Sequence, residues 1–494
     1  MACPPQNRNG DEARATDSIE AESPQKCAMF HCTNMCAAGF VIDGTSIPDS
    51  LVRTIVSARQ HKEMVMPKFF LGQSVSAVVI CFWVASGASA QVGRTVISVK
   101  DSHSIGSTVF PSAFGDGVHD DTSAIQGKIT YALNSSTERA GKGAVIFFPE
   151  GTYLVTSAIT IPPSGGLDFV GAAAQSETYV IPSSKIVGAY TSTTSAMFVS
   201  QNSSHRWSDL ILVGRASTSF GYPGAMIYTY SGSTAVVWSV KFDNVRFWAN
   251  LDPTDTTVAT TTSALSLGSG ASDNMNSEFS VRDSYFLNFG TAVTVNTEQG
   301  LDYVFEQVSA CNCRTFLNLQ YGGNVNFNTG TFSHCGGSGC DDWVFKIGGV
   351  SGGGGTVRIQ NARFEAGSQK FVRVDGNQVV QVEGLGESET GTTSAVLEVG
   401  GGSVTFSGCR INSFPALNFV TPGLSWMNGS VRFRDCAFRS VPAGQSYGSP
   451  PSSPIAPPSG LITGSGRYVY EHCVGIYSSN QYYPFANSTN VSGW

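Results

Sequence analysis

One phrase recurs six times from residue 240 onward: VKFDNVRF (240–247), FSVRDSYF (279–286), VNFNTGTF (325–332), VRIQNARF (357–364), VTFSGCRI (404–411) and VRFRDCAF (431–438). Each copy predicts a short strand, a bend at a small or polar residue, and a second short strand whose apolar side chains alternate. Within two runs of copies, successive bend residues lie 22 to 27 residues apart. A repeat of this length predicts a solenoid in which each unit buries its apolar side against its neighbours.

A second recurring strand lies between these phrases, as in AVTVN (292–296), FLNLQ (316–320), VFKIG (344–348), FVRVDG (371–376) and VLEVGG (396–401). Each repeat therefore carries three short strands, and no helical periodicity separates them. The predicted fold class is all-β: a right-handed parallel β-helix, a solenoid of three-strand coils. A β-sandwich with coincidental repeats is the alternative, and the near-constant spacing argues against it.

The composition agrees with an all-β fold and excludes one class of partner. The chain has 55 Gly among 494 residues and only 13% charged residues. Few charges and many β-forming residues indicate short strands and Gly-rich turns. The formal net charge of -7 provides no basic field. The sequence therefore predicts no nucleic-acid partner.

The segment GDGVHDDTSAIQGKITYAL (115–133) predicts a short N-terminal capping helix for the open end of the solenoid. Asp120 or Asp121 is suited to cap its start, and apolar residues at 125, 129 and 133 share one face. The stretch GAVIFFPEGTYLV (143–155) then reads as strand, turn and strand, and opens the first coil.

These two segments resemble the N-terminal signature of the pectate-lyase-like superfamily of β-helix proteins. This superfamily includes polygalacturonases, rhamnogalacturonan-active proteins and phage tailspikes. The resemblance covers roughly residues 95–480 with the repeats included. It implies a carbohydrate-active protein, and it implies that Asp116, Asp120 and Asp121 build the cap rather than perform catalysis. A fold does not by itself assign a function.

The N-terminal region predicts secretion. A basic start, an apolar stretch and small residues before Gln91 make residues 64–90 a signal peptide, or alternatively a signal anchor. If residues 64–90 are a signal peptide, we expect residues 1–63 to be an upstream extension that is not translated; if they are an anchor, residues 1–63 form a cytoplasmic tail. Residues 91–494 are expected to form a single β-helix domain. Within it we expect an N-terminal cap at 110–155 and a Pro/Ser-rich excursion at 442–460. The expected location is secreted or cell-surface, with no stable membrane insertion once the signal is removed.

One candidate site is the carboxylate pair Asp341 and Asp342, followed by a strand phrase. It resembles the polygalacturonase arrangement, but the coil before it has no third Asp and the coil after it has no His. Glycoside hydrolysis needs two carboxyl groups, and His334 nearby is a candidate proton donor. A loop role is the alternative for the Asp pair.

A second candidate site follows from the alternation of the interposed strands. If their apolar residues point inward, the residues between them form one outward column: Thr294, Asn318, Lys346, Arg373, Glu398 and Asn418. Lys346, Arg373 and Glu398 are the candidate catalytic residues, since a cation there would hold a uronate carboxylate. Candidate substrate-binding residues are Asn318, Gln320, Asp375, Trp343 and Tyr321. A salt-bridge ladder between coils is the alternative.

Two functions follow from these sites. The first is cleavage of an extracellular, uronate-containing polysaccharide by hydrolysis or β-elimination, with no cofactor unless an elimination uses Ca²⁺. The second is a non-catalytic adhesin or polysaccharide-binding protein. The oligomeric state is left open, with a trimer expected if the chain resembles tailspikes.

The cysteines of the repeats predict a column of buried thiols. Cys409, Cys436 and Cys473 each follow a bend, so they should stack from coil to coil as apolar fillers. Cys335 and Cys340 bracket a Gly-rich loop and are the better disulfide candidates. Cys311 and Cys313 are ambiguous on the sequence.

Overall fold

The computed structural model describes the chain from Arg94 to Val491 with internal gaps. The described ranges are 94–134, 143–163, 166–174, 183–192, 196–201, 204–230, 237–252, 257–270, 276–297, 300–333, 343–348, 354–365, 370–387, 396–411, 416–419, 429–438, 462–463, 466–476, 482–484 and 488–491. The expected signal at 64–90, the upstream extension and the excursion at 442–460 lie outside these ranges.

The described residues form one α-helix, α1 (Thr122–Asn134), and strands numbered in chain order. The strands are β1 (Thr95–Ser98), β2 (His103–Ile105), β3 (Thr108–Phe110), β4 (Asp116–Asp120), β5 (Ala144–Phe148), β6 (Gly151–Val155), β7 (Ile159–Ile161), β8 (Leu167–Gly171), β9 (Ser184–Gly188), β10 (Ala196–Ser200), β11 (Arg206–Ser208), β12 (Ile211–Arg215), β13 (Ala225–Thr229), β14 (Val237–Trp238), β15 (Lys241–Asp243), β16 (Arg246–Asn250), β17 (Ala259–Leu267), β18 (Asn276–Ser277), β19 (Ser280–Arg282), β20 (Tyr285–Leu287), β21 (Phe289–Val295), β22 (Tyr303–Glu306), β23 (Ser309–Cys311), β24 (Thr315–Leu319), β25 (Val325–Ser333), β26 (Trp343–Ile347), β27 (Gly354–Glu365), β28 (Lys370–Val374), β29 (Asn377–Glu383), β30 (Gly386–Glu387), β31 (Val396–Val399), β32 (Ser403–Ser407), β33 (Arg410–Ile411), β34 (Ala416–Phe419), β35 (Ser430–Arg434), β36 (Ala437–Phe438), β37 (Ile462–Thr463), β38 (Arg467–Glu471), β39 (Val474–Ile476), β40 (Tyr482–Pro484) and β41 (Ser488–Val491).

Two sheets run the length of the solenoid. A 26-stranded sheet, called the long sheet below, holds the strands on both sides of each bend, and an 11-stranded sheet, the short sheet, holds the third strand of each coil. Strands of successive coils pair in parallel, as β25 with β27 and β27 with β29. Antiparallel pairing of named strands within the described ranges is confined to the two ends, at β2–β3, β38–β41 and β39–β40. The predicted parallel β-helix of three-strand coils is confirmed.

The bends of the long sheet stack because each one adopts the same left-handed backbone. The predicted bend residues have φ between 48° and 63°: Asp283, Gln307, Thr329, Asn361, Gly384, Gly408 and Asp435. The N–H of a bend residue donates to a carbonyl of the next coil, at 3.0 Å from Gln307 N to Asn328 O. Gly, Asn and Asp tolerate this conformation, whereas β-branched Thr329 adopts it under strain. The bends therefore fix the register of the coils.

The core is a continuous column of apolar side chains inside the coils. Phe316, which is 1% exposed, lies at its most aromatic point. Its ring centroid is 4.9 to 5.9 Å from those of five other phenylalanines, which come from its own coil and from the coils on either side: Phe286, Phe305, Phe327, Phe332 and Phe345. Because no coil closes a core alone, these contacts between coils stabilise the stack.

A second apolar cluster lies outside the coils, on the outward side of the strands that follow the bends. The register runs from Val187 through Val213, Trp248 and Leu287 to Cys311. These side chains are buried because loop residues, including Ala174, Ala216 and Leu251, pack against them. Outward positions of the long sheet are therefore not all exposed to solvent.

The predicted thiol column is present. Cys409, Cys436 and Cys473 are free and buried, and each Sγ donates to a main-chain carbonyl, as from Cys436 to Arg434 O at 3.3 Å. Contact with Cys409 and burial raise the pKa of Cys436 to about 12. Cys313 is also free, whereas Cys311 is in a disulfide whose partner lies outside the described ranges, as do Cys335 and Cys340.

The N-terminal cap forms as expected. Asp120 Oδ1 accepts from the N–H of Thr122 at 3.0 Å, and the N–H of Ile125 donates to Asp121 O at 3.0 Å at the start of α1. Ile125 and Ile129 face the core and are buried. The carboxylate of buried Asp121 accepts from two main-chain N–H groups, those of residues 114 and 115. These acidic groups therefore hold the cap together, as the resemblance implied. Within the ranges given above, no helix has the length and apolarity needed to cross a bilayer.

Candidate functional site on the short sheet

The short sheet places the predicted polar residues in one column. Paired positions in successive strands run in the order Thr294, Asn318, Lys346, Arg373, Glu398 and Asn418. Lys346 is half-buried between buried Phe345 and Ile347, and Asn318 lies in the same way between two leucines. The alternation therefore turns this column outward, as expected. The side chain of Asn418 lies outside the described part of the chain.

Arg373 is held in place by two carboxylates. Its Nε is 2.6 Å from Asp375 Oδ2, just past the end of β28, and its Nη1 is 3.2 Å from Glu398 Oε1 on the next coil. The side chains of Arg373, Asp375 and Glu398 are 40%, 24% and 15% exposed, so the guanidinium is the most accessible of the three. The contact between Arg373 and Glu398 joins two coils, as in the salt-bridge ladder that is the alternative to a ligand site. It also fixes the direction of the guanidinium.

Lys346 lies beside Arg373 in the register, and a third cation lies close by. Lys370, at the start of β28, pairs with Trp343, and its Nζ is 5.4 Å from the centre of the Trp343 indole. A cation over an indole face is attracted by the ring quadrupole. Lys370 was not among the predicted residues, because it is the first residue of β28 and the predicted column is formed by residues further along each strand. The three cations therefore lie on two adjacent strands, β26 and β28. Of the two carboxylates, Asp375 directly follows β28 and Glu398 lies on β31, the next strand of the sheet.

Trp343, a candidate substrate-binding residue, is buried at the start of β26. It is 4% exposed, and the Lys370 ammonium lies over its indole. Its role in substrate binding stays a prediction.

Two candidate substrate-binding residues, Gln320 and Asp375, also lie in line along the short sheet. The N–H of Gln320 donates to Val295 O at 2.9 Å, and that of Asp375 donates to Ile347 O at 2.9 Å. Gln320 and Asp375 therefore lie in line along the sheet, two coils apart, and both are half-buried. Tyr321, next to Gln320, is half-buried too.

Three candidate catalytic residues lie outside the described residues: Asp341, Asp342 and His334. Their roles stay predictions. Within the described ranges, no three acidic, His or Cys side chains are grouped to hold a metal ion. The Ca²⁺ expected for an elimination likewise stays a prediction.

Ion pairs between coils are not unique to the short sheet. On the long sheet Arg282 Nε is 3.1 Å from Glu306 Oε2, and Arg432 Nε is 3.8 Å from Glu471 Oε1. A salt bridge alone therefore does not identify a ligand surface. What distinguishes the short sheet is the group of Lys346, Lys370 and Arg373 at one end of a column of uncharged polar side chains.

The fold and this surface define a parallel β-helix protein with a polar column on its short sheet. Residues 111–341 match the family model described as rhamnogalacturonase A/epimerase, pectate lyase-like, and the expected resemblance to pectate-lyase-like proteins is therefore confirmed. One relative, a glucan 1,3-beta-glucosidase of Cochliobolus carbonum, is 31% identical over 134 residues, which is 26% of this chain and only 15% of that protein.

Solved structures with a similar trace are more distant. A surface adhesin of Streptococcus pneumoniae aligns with a TM-score of 0.43 and 14% identity, over 77% of this chain and 90% of the other. The A-module of a mannuronan C-5 epimerase from Azotobacter vinelandii aligns with a TM-score of 0.41 and 16% identity, over 80% of this chain and 100% of the other. Similarity at this level does not extend to activity.

Proposed function

We propose that this chain acts on an extracellular, uronate-containing polysaccharide that lies along the outward column of the short sheet. The observation that carries the proposal is Arg373, held by Asp375 and Glu398 beside Lys346. The family match supports a carbohydrate ligand, and so does the name of the Cochliobolus carbonum relative, a glucan glucosidase. That relative's name denotes a glucan, so only the cations of the short sheet support the proposal that the polysaccharide contains uronate.

An oriented cation suits a uronate carboxylate. A guanidinium forms two parallel hydrogen bonds to a carboxylate, and these charge-assisted bonds are about twice as strong as neutral ones. The two carboxylates that hold Arg373 restrict its rotamers before the ligand arrives, which lowers the entropy lost on binding. Lys346 pairs with Arg373 in the register and supplies a second positive charge on the adjacent strand.

Two reactions are compatible with this arrangement. In a β-elimination, Arg373 neutralises the uronate carboxylate, a base removes the proton at C5, and the C4–O bond breaks to leave a C4–C5 double bond and a free hydroxyl on the leaving sugar. Lys346 is the candidate base. In a hydrolysis, Asp341 or Asp342 protonates the glycosidic oxygen and a second carboxylate assists water or attacks the sugar. His334 and Glu398 are further candidates for these proton transfers.

A non-catalytic adhesin or polysaccharide-binding protein is the second candidate function. It is favoured by the ion pairs of Arg373, because similar cross-coil pairs on the long sheet need no catalytic explanation. The same column would then grip a polysaccharide without cutting it.

Product analysis separates these functions. The purified protein is incubated with polygalacturonate and with a neutral β-glucan, and new reducing ends and near-ultraviolet absorbance are followed. Both signals indicate elimination, since its product carries a double bond beside the carboxylate, whereas reducing ends alone indicate hydrolysis. Binding without either signal supports the adhesin, and neither binding nor cleavage of any glycan contradicts the proposal.

A matched pair of variants tests the site. Arg373→Ala removes the oriented cation and leaves Glu398 and Asp375 to repel a uronate, so affinity for polygalacturonate should fall on the order of 10- to 100-fold. Arg410→Ala removes an exposed arginine from the long sheet and should change affinity little. Equal effects of the two changes would mean that net charge, rather than this site, governs binding.

We also propose that the protein acts outside the cell. The disulfide at Cys311 supports this, because disulfides persist in oxidising compartments. If residues 64–90 are a signal peptide, expression in a secreting host should yield a mature chain that begins at Gln91. Retention of the apolar stretch in the product would instead identify a membrane anchor.

A further inference from the structure

Tyr228 and Tyr230 form a stacked pair on the outward face of the short sheet. Their ring centroids are 5.3 Å apart with an interplanar angle of 18°, and both residues are half-buried. Other parallel ring pairs of the coils, such as Phe247 with Phe286, stack inside the core. The tyrosine rings therefore lie on the outward side of the sheet, where a ligand can contact them. Their stacking is not explained by packing inside the core.

The pair belongs to the same two columns as the proposed site. The register leads from Tyr228 through Ser266 and Thr294 to Asn318. Gly268 follows Tyr230 in the next coil, since the N–H of Gly268 donates to Thr229 O at 2.7 Å. The neighbours of both rings toward Arg373 are therefore small. The main chain of Asn296, in the following coil, packs closely against Gly268.

We propose that Tyr228 and Tyr230 form a sugar-binding subsite for the same polysaccharide, so that the ligand runs along the coil axis from this pair to Arg373. The inference rests on the proposed function and extends it. Tyr228 and Arg373 are five strand steps apart, which is about 24 Å at the usual spacing of about 4.8 Å between strands.

The chemistry of the two ends differs. A pyranose ring has apolar C–H faces and hydroxyl edges, and tyrosine offers an apolar ring together with a hydroxyl. The column positions between Tyr228 and Lys346 are Ser266, Thr294 and Asn318, which carry no charge. This half of the surface therefore contacts rings and hydroxyls, while the Arg373 end contacts a carboxylate. Only a chain long enough to reach both ends gains both sets of contacts.

The test measures affinity against ligand length. Wild type and the double variant Tyr228→Ala, Tyr230→Ala are titrated calorimetrically with a digalacturonide and with long oligogalacturonides. For the long ligands we expect the double variant to bind about 10-fold more weakly, and for the digalacturonide we expect no change. Tyr228→Phe with Tyr230→Phe retains the rings and should lose less affinity than the alanine pair. Tyr285→Ala, on the outward side of the long sheet, is the off-site control.

A second measurement avoids variants altogether. Hydroxyl-radical footprinting of the wild-type protein, read by mass spectrometry, should show protection of Tyr228 and Tyr230 by the long ligand and none by the digalacturonide. The inference is overturned if Arg373→Ala weakens long ligands while the tyrosines are neither protected nor required. If no glycan binds the wild-type protein at all, the proposed function fails, and the inference fails with it.

Discussion

Replacement of Phe316 by Ala should be among the most destabilising single changes in this chain. The side chain is 1% exposed and its ring lies within 5.9 Å of five other phenylalanines. A phenylalanine buries about 150–250 Å², and at about 25 cal/mol per Å² this gives roughly 4–6 kcal/mol as an upper bound. Phe→Ala changes in cores cost about 3–5 kcal/mol. We expect a value near the upper end, because strands held in register restrict collapse of the cavity.

The assay is equilibrium unfolding in guanidinium chloride, followed by circular dichroism. The matched control is Asn318→Ala. The Asn318 side chain is outward between Leu317 and Leu319, and its replacement should change the free energy of unfolding by less than about 0.5 kcal/mol. Phe316 reaches the core at the start of the same strand, where adjacent Leu317 is also buried and alternation is not kept. A small effect of Phe316→Ala together with a large effect of Asn318→Ala would refute the assignment of inward and outward faces on β24.

Three further predictions concern single residues away from the ligand surface. Burial lowers the pKa of His205 to about 3, so its neutral form is favoured in the folded protein. Below the unfolded-state pKa of about 6.5, the unfolded chain takes up a proton that the folded protein excludes. The free energy of unfolding therefore falls as the pH is lowered. Between pH 6.5 and 4.5, wild type should therefore lose about 2–3 kcal/mol more than His205→Gln, as measured by urea unfolding at each pH, and equal losses would contradict the buried neutral ring. Thr329→Gly should raise the free energy of unfolding by about 1 kcal/mol, since it relieves a β-branched residue at φ 61°, whereas Thr331→Gly, within the strand, should lower it. Cys436→Ser should destabilise by about 1–3 kcal/mol, because the buried column is apolar, and a thiol reagent should modify Cys436 in the unfolded protein but not in the folded one.

The sequence predicted the parts of the fold that repeat. Bend residues were visible because only a few residue types adopt a left-handed backbone, and Asn361, Gly384 and Asp435 recur at a near-constant spacing. The outward column was visible for a similar reason, since alternation over the last three residues of the strand separates Lys346 from its buried neighbours Phe345 and Ile347. The bend residues and the alternation are both local features of the sequence, so they can be recognised without knowing how the loops fold.

Features that depend on loops or chain ends were not predicted. Trp248 is outward by alternation yet buried, because residues from the loops pack over it. The burial of Trp343 beneath Lys370 was not predicted either, because Lys370 lies at the first position of its strand. The disulfide of Cys311 could not be assigned, since sequence spacing does not show which loop returns to it. Tyr228 was missed because the phrase that aligns the later coils is not recognisable before residue 240.

The most direct test of the account is a crystal structure of the protein with a long oligogalacturonide bound. We predict sugar density along the outward side of β24, β26, β28 and β31, with a carboxylate at the guanidinium of Arg373. Density on the long sheet, or a short sheet left empty under saturating ligand, would contradict the assignment of this surface as the polysaccharide site.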